Sequence, residues 1–190
     1  MIRSLTVYCG ANMGNDPHLV AAAKEFGRQL AQHHLSLVYG GGRFGIMGTI
    51  ARAVIDNGGD AHGVITTELR DRGTALDNLT TIEVVPNMDV RKQQMMKLGD
   101  GMVALPGGVG TLEEISEAAS WTTIGDNHKP TAFYNIDGYY APLKTMFLKM
   151  NDKGFLEKNY LDSLCFTDNF DELLTFMNNY QAPDYRHYHG

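Results

Sequence analysis

The hydrophobic positions of this chain alternate between two textures. Short apolar, often β-branched runs recur at 4–9 (SLTVYC), 35–39 (LSLVY), 61–65 (AHGVI), 80–85 (TTIEVV), 101–105 (GMVAL) and 131–136 (TAFYNI). Several are continuous rather than alternating, as in strands covered on both faces. Between them lie segments with helical spacing. Residues 17–33 place Leu19, Ala22, Ala23, Phe26, Leu30 and Ala31 on one stripe, and 46–57, 88–98, 111–124 and 139–152 repeat the pattern. Strand alternating with helix predicts an α/β fold: a three-layer, doubly wound, Rossmann-like and mostly parallel sheet with helices on both faces. A last helix is predicted over 169–179. Residues 67–79 (TELRDRGTALDNL) lack a clear period and read as a long surface loop. The expectation is one domain over 1–181 and a weakly ordered tail over 182–190.

Composition adds limits rather than detail. A chain of 190 residues with 43% hydrophobic and 20% charged residues can bury a sizeable core in one domain. The formal net charge of -6 argues against nucleic acid or an anionic membrane as the main partner. It leaves room for a small phosphorylated ligand, which backbone amides can hold without many cations. The two cysteines, Cys9 and Cys165, form no CxxC pair, so a disulfide framework or zinc site is not expected and a reducing cytoplasm fits. The histidines His18, His33, His34, His62 and His128 show no metal-ligand spacing. Neither a secretory leader nor a membrane-spanning run is expected.

Candidate chemistry lies in the glycines. CGANMG at 9–14, GGGRFGIMG at 40–48 and PGGVGT at 106–111 follow predicted strands or open predicted helices, and Gly138 marks a fourth turn in NIDGYY. In an open α/β sheet, ligands bind beyond the carboxyl ends of the strands. Glycine there lets backbone N–H groups approach an anion, and a helix N-terminus adds about half a positive charge. The alternative is tight turns and close helix–strand packing. The spacing is neither GxGxxG nor GxxxxGK[ST], so a mononucleotide is a better expectation than a dinucleotide or a Walker nucleotidase.

Directly after the third cluster, Thr111-Leu112-Glu113-Glu114 fits a capping box, in which the Glu114 carboxylate would reach back to the Thr111 amide. Parallel topology opens a second possibility. The helix predicted over 88–98 begins with MDVRKQQM at the same sheet edge, which would bring Arg91 and Lys92 near the crevice that holds Glu114. An arginine beside a carboxylate can clamp a phosphate or hold the acid ionised. Asp100 would orient Arg91 or cap a turn, and Trp121 suits packing better than base stacking.

Together, PGGVGTLEE, MDVRKQQM and GGGRFGIMG resemble one family, the LONELY GUY cytokinin-activating phosphoribohydrolases, also known as lysine decarboxylase-like proteins. The patterns PGGxGTxxE and MxxRKxxM are matched from Pro106 to Glu114 and from Met88 to Met95, and GGGxxGxMG from Gly40 to Gly48. WTTIGDNHKP and NIDGYY extend the similarity over roughly 4–180. The resemblance implies a Rossmann-like homodimer that hydrolyses the N-glycosidic bond of N6-modified adenosine 5'-monophosphates. It places the catalytic residues at Arg91 and Glu114. It places nucleotide contacts at Lys92, at the loop residues Gly108, Val109, Gly110, Thr111 and Glu113, and at Glu68; the glycine clusters themselves add Gly107, Gly41 and Gly42 as candidate substrate contacts. No cofactor is implied: pyridoxal phosphate on a lysine, as the decarboxylase label requires, has no supporting feature. Two other readings stay open, a nucleosidase acting on AMP or another purine monophosphate, and a non-catalytic carrier of a phosphorylated cofactor.

Overall fold

A computed structural model describes residues 1–186, and residues 187–190, the end of the expected tail, lie outside the described residues. Seven strands form one sheet: β1 (Ser4–Tyr8), β2 (Ser36–Tyr39), β3 (Ala61–Thr66), β4 (Thr81–Val85), β5 (Gly101–Ala104), β6 (Thr131–Tyr134) and β7 (Leu164–Thr167). Their spatial order is β4-β3-β2-β1-β5-β6-β7, and every pairing is parallel. The strand order reverses between β1 and β5, whose register Tyr8↔Ala104 sets Cys9-Gly10 beside Leu105-Pro106. A crevice forms at such a reversal because the two connections leave to opposite faces.

The helices are α1 (Pro17–Gln32), α2 (Gly45–Asp56), α3 (Thr67–Asp71), α4 (Met88–Leu98), α5 (Val109–Ile124), α6 (Ala141–Asp152), α7 (Lys158–Asp162) and α8 (Phe170–Asn179). Alternate residues of each strand feed opposite layers, as the pleat requires. Leu5, Val7, Leu37, Tyr39, Val103 and Leu105 pack with Phe26 and Leu30 of α1, Ile50 and Val54 of α2 and Leu173 of α8. Tyr8, Val38, Val64, Met102 and Phe133 pack on the other face with Met95 of α4, Ile115 and Ala118 of α5 and Phe147 of α6. Trp121 packs against this second layer. Among the described residues, no helix is long and apolar enough to cross a membrane.

Local signals explain where the helices begin and end. Asp16 caps α1 by accepting from the His18 amide at 2.8 Å, with Pro17 in the first turn. Asn87 caps α4 through the Val90 amide at 3.0 Å. Gly125, at φ 84°, closes α5.

Three elements differ from the sequence reading. The segment 67–79 is not one loop: it opens with α3, then lies across the second glycine cluster, where Arg43 N donates to Thr74 O at 2.8 Å and Leu76 N to Gly41 O at 3.0 Å. Strand β7 and helix α7 occupy a stretch without a predicted element. β7 is four residues long and owes its form to pairing with β6 from Thr131↔Leu164 to Tyr134↔Thr167, a contact no local pattern announces. Among the residues past 181 that are described, Asp184 and Arg186 make contacts with the rest of the chain: Asp184 O accepts from Tyr160 Oη at 2.9 Å, and Arg186 N donates to Thr123 O at 3.0 Å.

Candidate active site

A cavity of about 1070 Å³ opens at the carboxyl ends of the central strands. The turns after β1, β2 and β5 meet there, and Gly10 N donates to Pro106 O at 3.2 Å across the strand reversal. Gly107, Gly108, Val109, Gly110, Thr111 and Glu113 line it, together with Gly42, Arg91 and Glu114.

The third glycine cluster becomes the mouth of α5. Gly108 is the N-cap and supplies no side chain to the helix start, and the first helical bond runs from Leu112 N to Gly108 O at 3.1 Å. The N–H groups of Val109, Gly110 and Thr111 therefore have no acceptor within the helix. The glycines differ in what they permit. A Cβ on Gly107 would stand 2.2 Å from Thr111 Oγ1 and 2.8 Å from Gly10 N, so packing alone excludes a side chain. A Cβ on Gly108 or Gly110 would meet nothing within 4 Å, and neither residue has a positive φ. Packing does not demand glycine at those two positions, and the open space lies where an anion would approach the helix end.

Glu114 does not close the expected capping box. The helix starts two residues earlier than predicted, at Val109, and the carboxylate turns to α4, where Arg91 Nη1 donates to Glu114 Oε1 at 3.0 Å. Only 7% of the Arg91 side chain and 14% of that of Glu114 are exposed. Arg91 is held from three sides: Nε donates to Val64 O at 2.9 Å, Nη1 also contacts Met88 Sδ at 3.2 Å, and the guanidinium passes directly over Gly40. A Cβ on Gly40 would lie 1.9 Å from Arg91 Nη2, so the second glycine cluster serves Arg91 as well as the cavity. Burial pushes the Glu114 carboxyl above its ordinary range; the Arg91 charge opposes that shift and the neighbouring Glu113 adds to it.

Other expected residues lie elsewhere. Lys92 is outside the cavity lining, and its ammonium sits between Glu113 at 2.5 Å and Glu117 at 2.7 Å, which hold it well above the usual lysine range. Both carboxylates compete with any phosphate for that charge. Glu68 is exposed and pairs with Arg72 one turn along α3, while Leu69 of the same helix faces the cavity. Gly41 is behind the lining, packed on Ile65 and Gly63, where its φ of 73° bends the turn. Asp100 does not orient Arg91: at the opposite end of the sheet it accepts from the amides of Arg3 and Ser4 at 2.7 and 3.1 Å.

The cavity also recruits residues that sequence reasoning passed over. Met13, Phe44, Met47, Leu69 and Met88 give it an apolar wall, and Asn12 and Tyr139 add polar groups. Tyr139 was within reach of a sequence argument, because Gly138 marks a turn after β6 at the same sheet edge. Among the described residues, no lysine lines the cavity, so the lining does not fit pyridoxal phosphate, which needs an amine for its Schiff base.

A family model described as "Possible lysine decarboxylase" matches residues 47–177. A probable cytokinin riboside 5'-monophosphate phosphoribohydrolase of Oryza sativa subsp. japonica is 40% identical over 174 residues, spanning 92% of this chain and 76% of its own. A cytokinin riboside 5'-monophosphate phosphoribohydrolase of Arabidopsis thaliana is 35% identical over 179 residues, spanning 94% of this chain and 82% of its own. The molybdenum cofactor carrier protein of Chlamydomonas reinhardtii matches with a TM-score of 0.70 at 17% identity, over 94% of this chain and 100% of that one. The molybdenum cofactor binding protein of Rippkaea orientalis matches with a TM-score of 0.69 at 17% identity, over 94% and 96%. The last two likenesses concern the fold alone. On the match to the family model and the identity to the plant proteins, the chain belongs to the LONELY GUY, or lysine decarboxylase-like, family.

Proposed function

We propose that this protein hydrolyses the N-glycosidic bond of N6-modified adenosine 5'-monophosphates, releasing the free base and ribose 5-phosphate. The observation that carries the reading is the Arg91–Glu114 pair, buried at the wall of a cavity whose mouth is a helix end with three free amides. The 5'-phosphate sits on the amides of Gly108, Val109, Gly110 and Thr111, where the helix end favours a dianion. Glu114, one turn along α5, then meets the ribose.

Glycoside cleavage passes through a ribosyl cation with oxocarbenium character. An ionised Glu114 stabilises that cation and accepts a proton from the attacking water. Arg91 keeps the carboxylate ionised against its burial and fixes its orientation. Glu113 and Lys92 brace the first turns of α5 against α4. The apolar wall of Met13, Phe44, Met47 and Leu69 suits a base that carries a hydrocarbon substituent. The names of the plant relatives support the same substrate class.

The active species is a homodimer. Support comes from apolar side chains left exposed on two neighbouring helices of one layer: Met88 and Val90 on α4 and Leu112 on α5. Light scattering in solution tests this, and a monomer at micromolar concentration overturns it. The free thiols of Cys9 and Cys165 suit a reducing compartment such as the cytoplasm.

Incubation with AMP and with isopentenyl-AMP, followed by chromatography for free base, tests the activity. Faster release from isopentenyl-AMP is the expected result. Equal release, or release from AMP alone, identifies a general purine-monophosphate nucleosidase. Release from neither points to a carrier of a phosphorylated ligand.

A further inference from the structure

The peptides of the phosphate loop are held through their carbonyls, and two adjacent tyrosines do part of the holding. Tyr140 Oη donates to Leu105 O at 2.7 Å, Gly10 N donates to Pro106 O at 3.2 Å, and Tyr139 Oη donates to Gly107 O at 2.5 Å. Three consecutive carbonyls are thus engaged. Every peptide here is trans, so each N–H points opposite to the carbonyl of its own plane. Fixing the Gly107 carbonyl therefore fixes the Gly108 N–H, the first donor of the anion seat.

The two tyrosines are not equivalent. Tyr140 is buried, 6% exposed, and stacks edge-on against Phe133 in the core. Tyr139 is 44% exposed, lines the cavity and is not part of either core layer. Its hydroxyl reaches back to the Gly107 carbonyl. The turn that presents it is unusual. Asp137 and Gly138 both take positive φ, 51° and 72°, and the Asn135 side chain accepts from the Tyr140 amide at 2.6 Å. A left-handed non-glycine residue costs energy, and such cost persists where the surrounding structure enforces it. Here the Asp137 carboxylate is engaged by His18 of α1.

We propose that Tyr139 is a positioning residue for the nucleotide phosphate: its hydroxyl latches the Gly107 carbonyl and so aims the Gly108 amide at the anion. Glycine at 107 and 108 makes the loop permissive, and a free peptide there would rotate. The latch removes that freedom before the ligand arrives, so less ordering entropy is lost on binding. The inference rests on the reading of this loop as the seat of the 5'-phosphate.

Tyr139→Phe keeps the ring against the cavity and deletes the hydroxyl. Calorimetric titration of the full chain with ribose 5-phosphate and with adenosine separates the possibilities. The expected result is binding of ribose 5-phosphate weakened about tenfold, the order of one lost hydrogen bond, with adenosine binding and melting temperature unchanged. In turnover, KM for the 5'-monophosphate rises while kcat holds. Equal weakening of both ligands, or no weakening of either, overturns the latch while leaving the phosphate seat in place. If wild-type protein shows no dependence on the 5'-phosphate, the seat itself falls, and the latch with it. Tyr140→Phe marks the contrast: it strands a buried carbonyl, and its main effect is a lower melting temperature.

Discussion

Arg91 and Glu114 lie 23 residues apart on different helices, yet their side chains meet at 3.0 Å with almost no exposure to solvent. Neither charge would be tolerated there alone. The pair places one ionised carboxylate at a chosen point of a cavity, beside a helix end that attracts anions.

Glu114→Gln keeps the size of the side chain and can still accept from Arg91, but loses the charge. Turnover should fall by about 10²-fold or more, with nucleotide affinity nearly unchanged, as expected for a group that acts in the transition state. Steady-state kinetics with a parallel binding titration checks this. Turnover near that of the wild type would leave Glu114 a purely structural partner of Arg91.

Burial raises the Glu114 carboxyl, and Arg91 opposes the rise. The acid limb of kcat/KM should therefore lie above about 4.3, the value of a free glutamate. Arg91→Gln removes the opposing charge and should move that limb further up. Stability follows the same sign. A carboxyl raised in the folded state stabilises the fold fully below its unfolded value, and that contribution is lost as pH rises through the folded value. The melting temperature of wild type should thus fall relative to Glu114→Gln as pH rises above about 4. Arginine keeps its charge throughout, so losing its carboxylate shifts the curves without adding slope. Parallel curves would show that Glu114 does not titrate in this window.

Two glycine substitutions should act in opposite ways. Gly40→Ala drives a methyl group into the place of Arg91 Nη2. The guanidinium end is flexible and can yield, so the fold should survive while activity drops towards that of Arg91→Gln. Gly110→Ala meets no atom within 4 Å and lies in the first turn of α5. It should stabilise the helix by about 0.5–1 kcal/mol, yet raise KM for the 5'-monophosphate by crowding the anion seat. Thermal melts and kinetics on both variants test the pair; unchanged KM in Gly110→Ala would remove the phosphate from this helix end.

Lys129 reaches across from the loop before β6 to the end of α4. Its ammonium donates to Met96 O at 2.7 Å, Lys97 O at 3.0 Å and Gly99 O at 2.6 Å. These are terminal carbonyls of the helix that carries Arg91, and a cation there also suits the helix dipole. Lys129→Met should cost about 2 kcal/mol, the order of charged hydrogen bonds lost from a partly buried site. Denaturant unfolding measures it, and a loss within experimental error would make the contact incidental.

The limits of the sequence show most clearly at Glu114. The spacing T-x-x-E made a capping box a sound local expectation. The structure instead starts the helix at Val109 and turns the carboxylate to Arg91. Lys92 and Glu68 share this lesson. Each is a polar residue near the right sheet edge, but Lys92 is taken by Glu113 and Glu117, and Glu68 pairs with Arg72 in solvent. Side-chain direction depends on neighbours from other elements, and spacing along one element does not contain it.

By itself the sequence determined the layering. Six strands, the long helices and the placing of three glycine turns at one sheet edge follow from apolar runs and helical periods, which are local properties of the chain. Tertiary structure alone decided β7, the cover of 67–79 over the second glycine cluster, the passage of Arg91 above Gly40, and the hold of Tyr139 on the Gly107 carbonyl. Each of these depends on atoms far apart in sequence meeting within a few ångströms, and close packing, rather than periodicity, sets such distances.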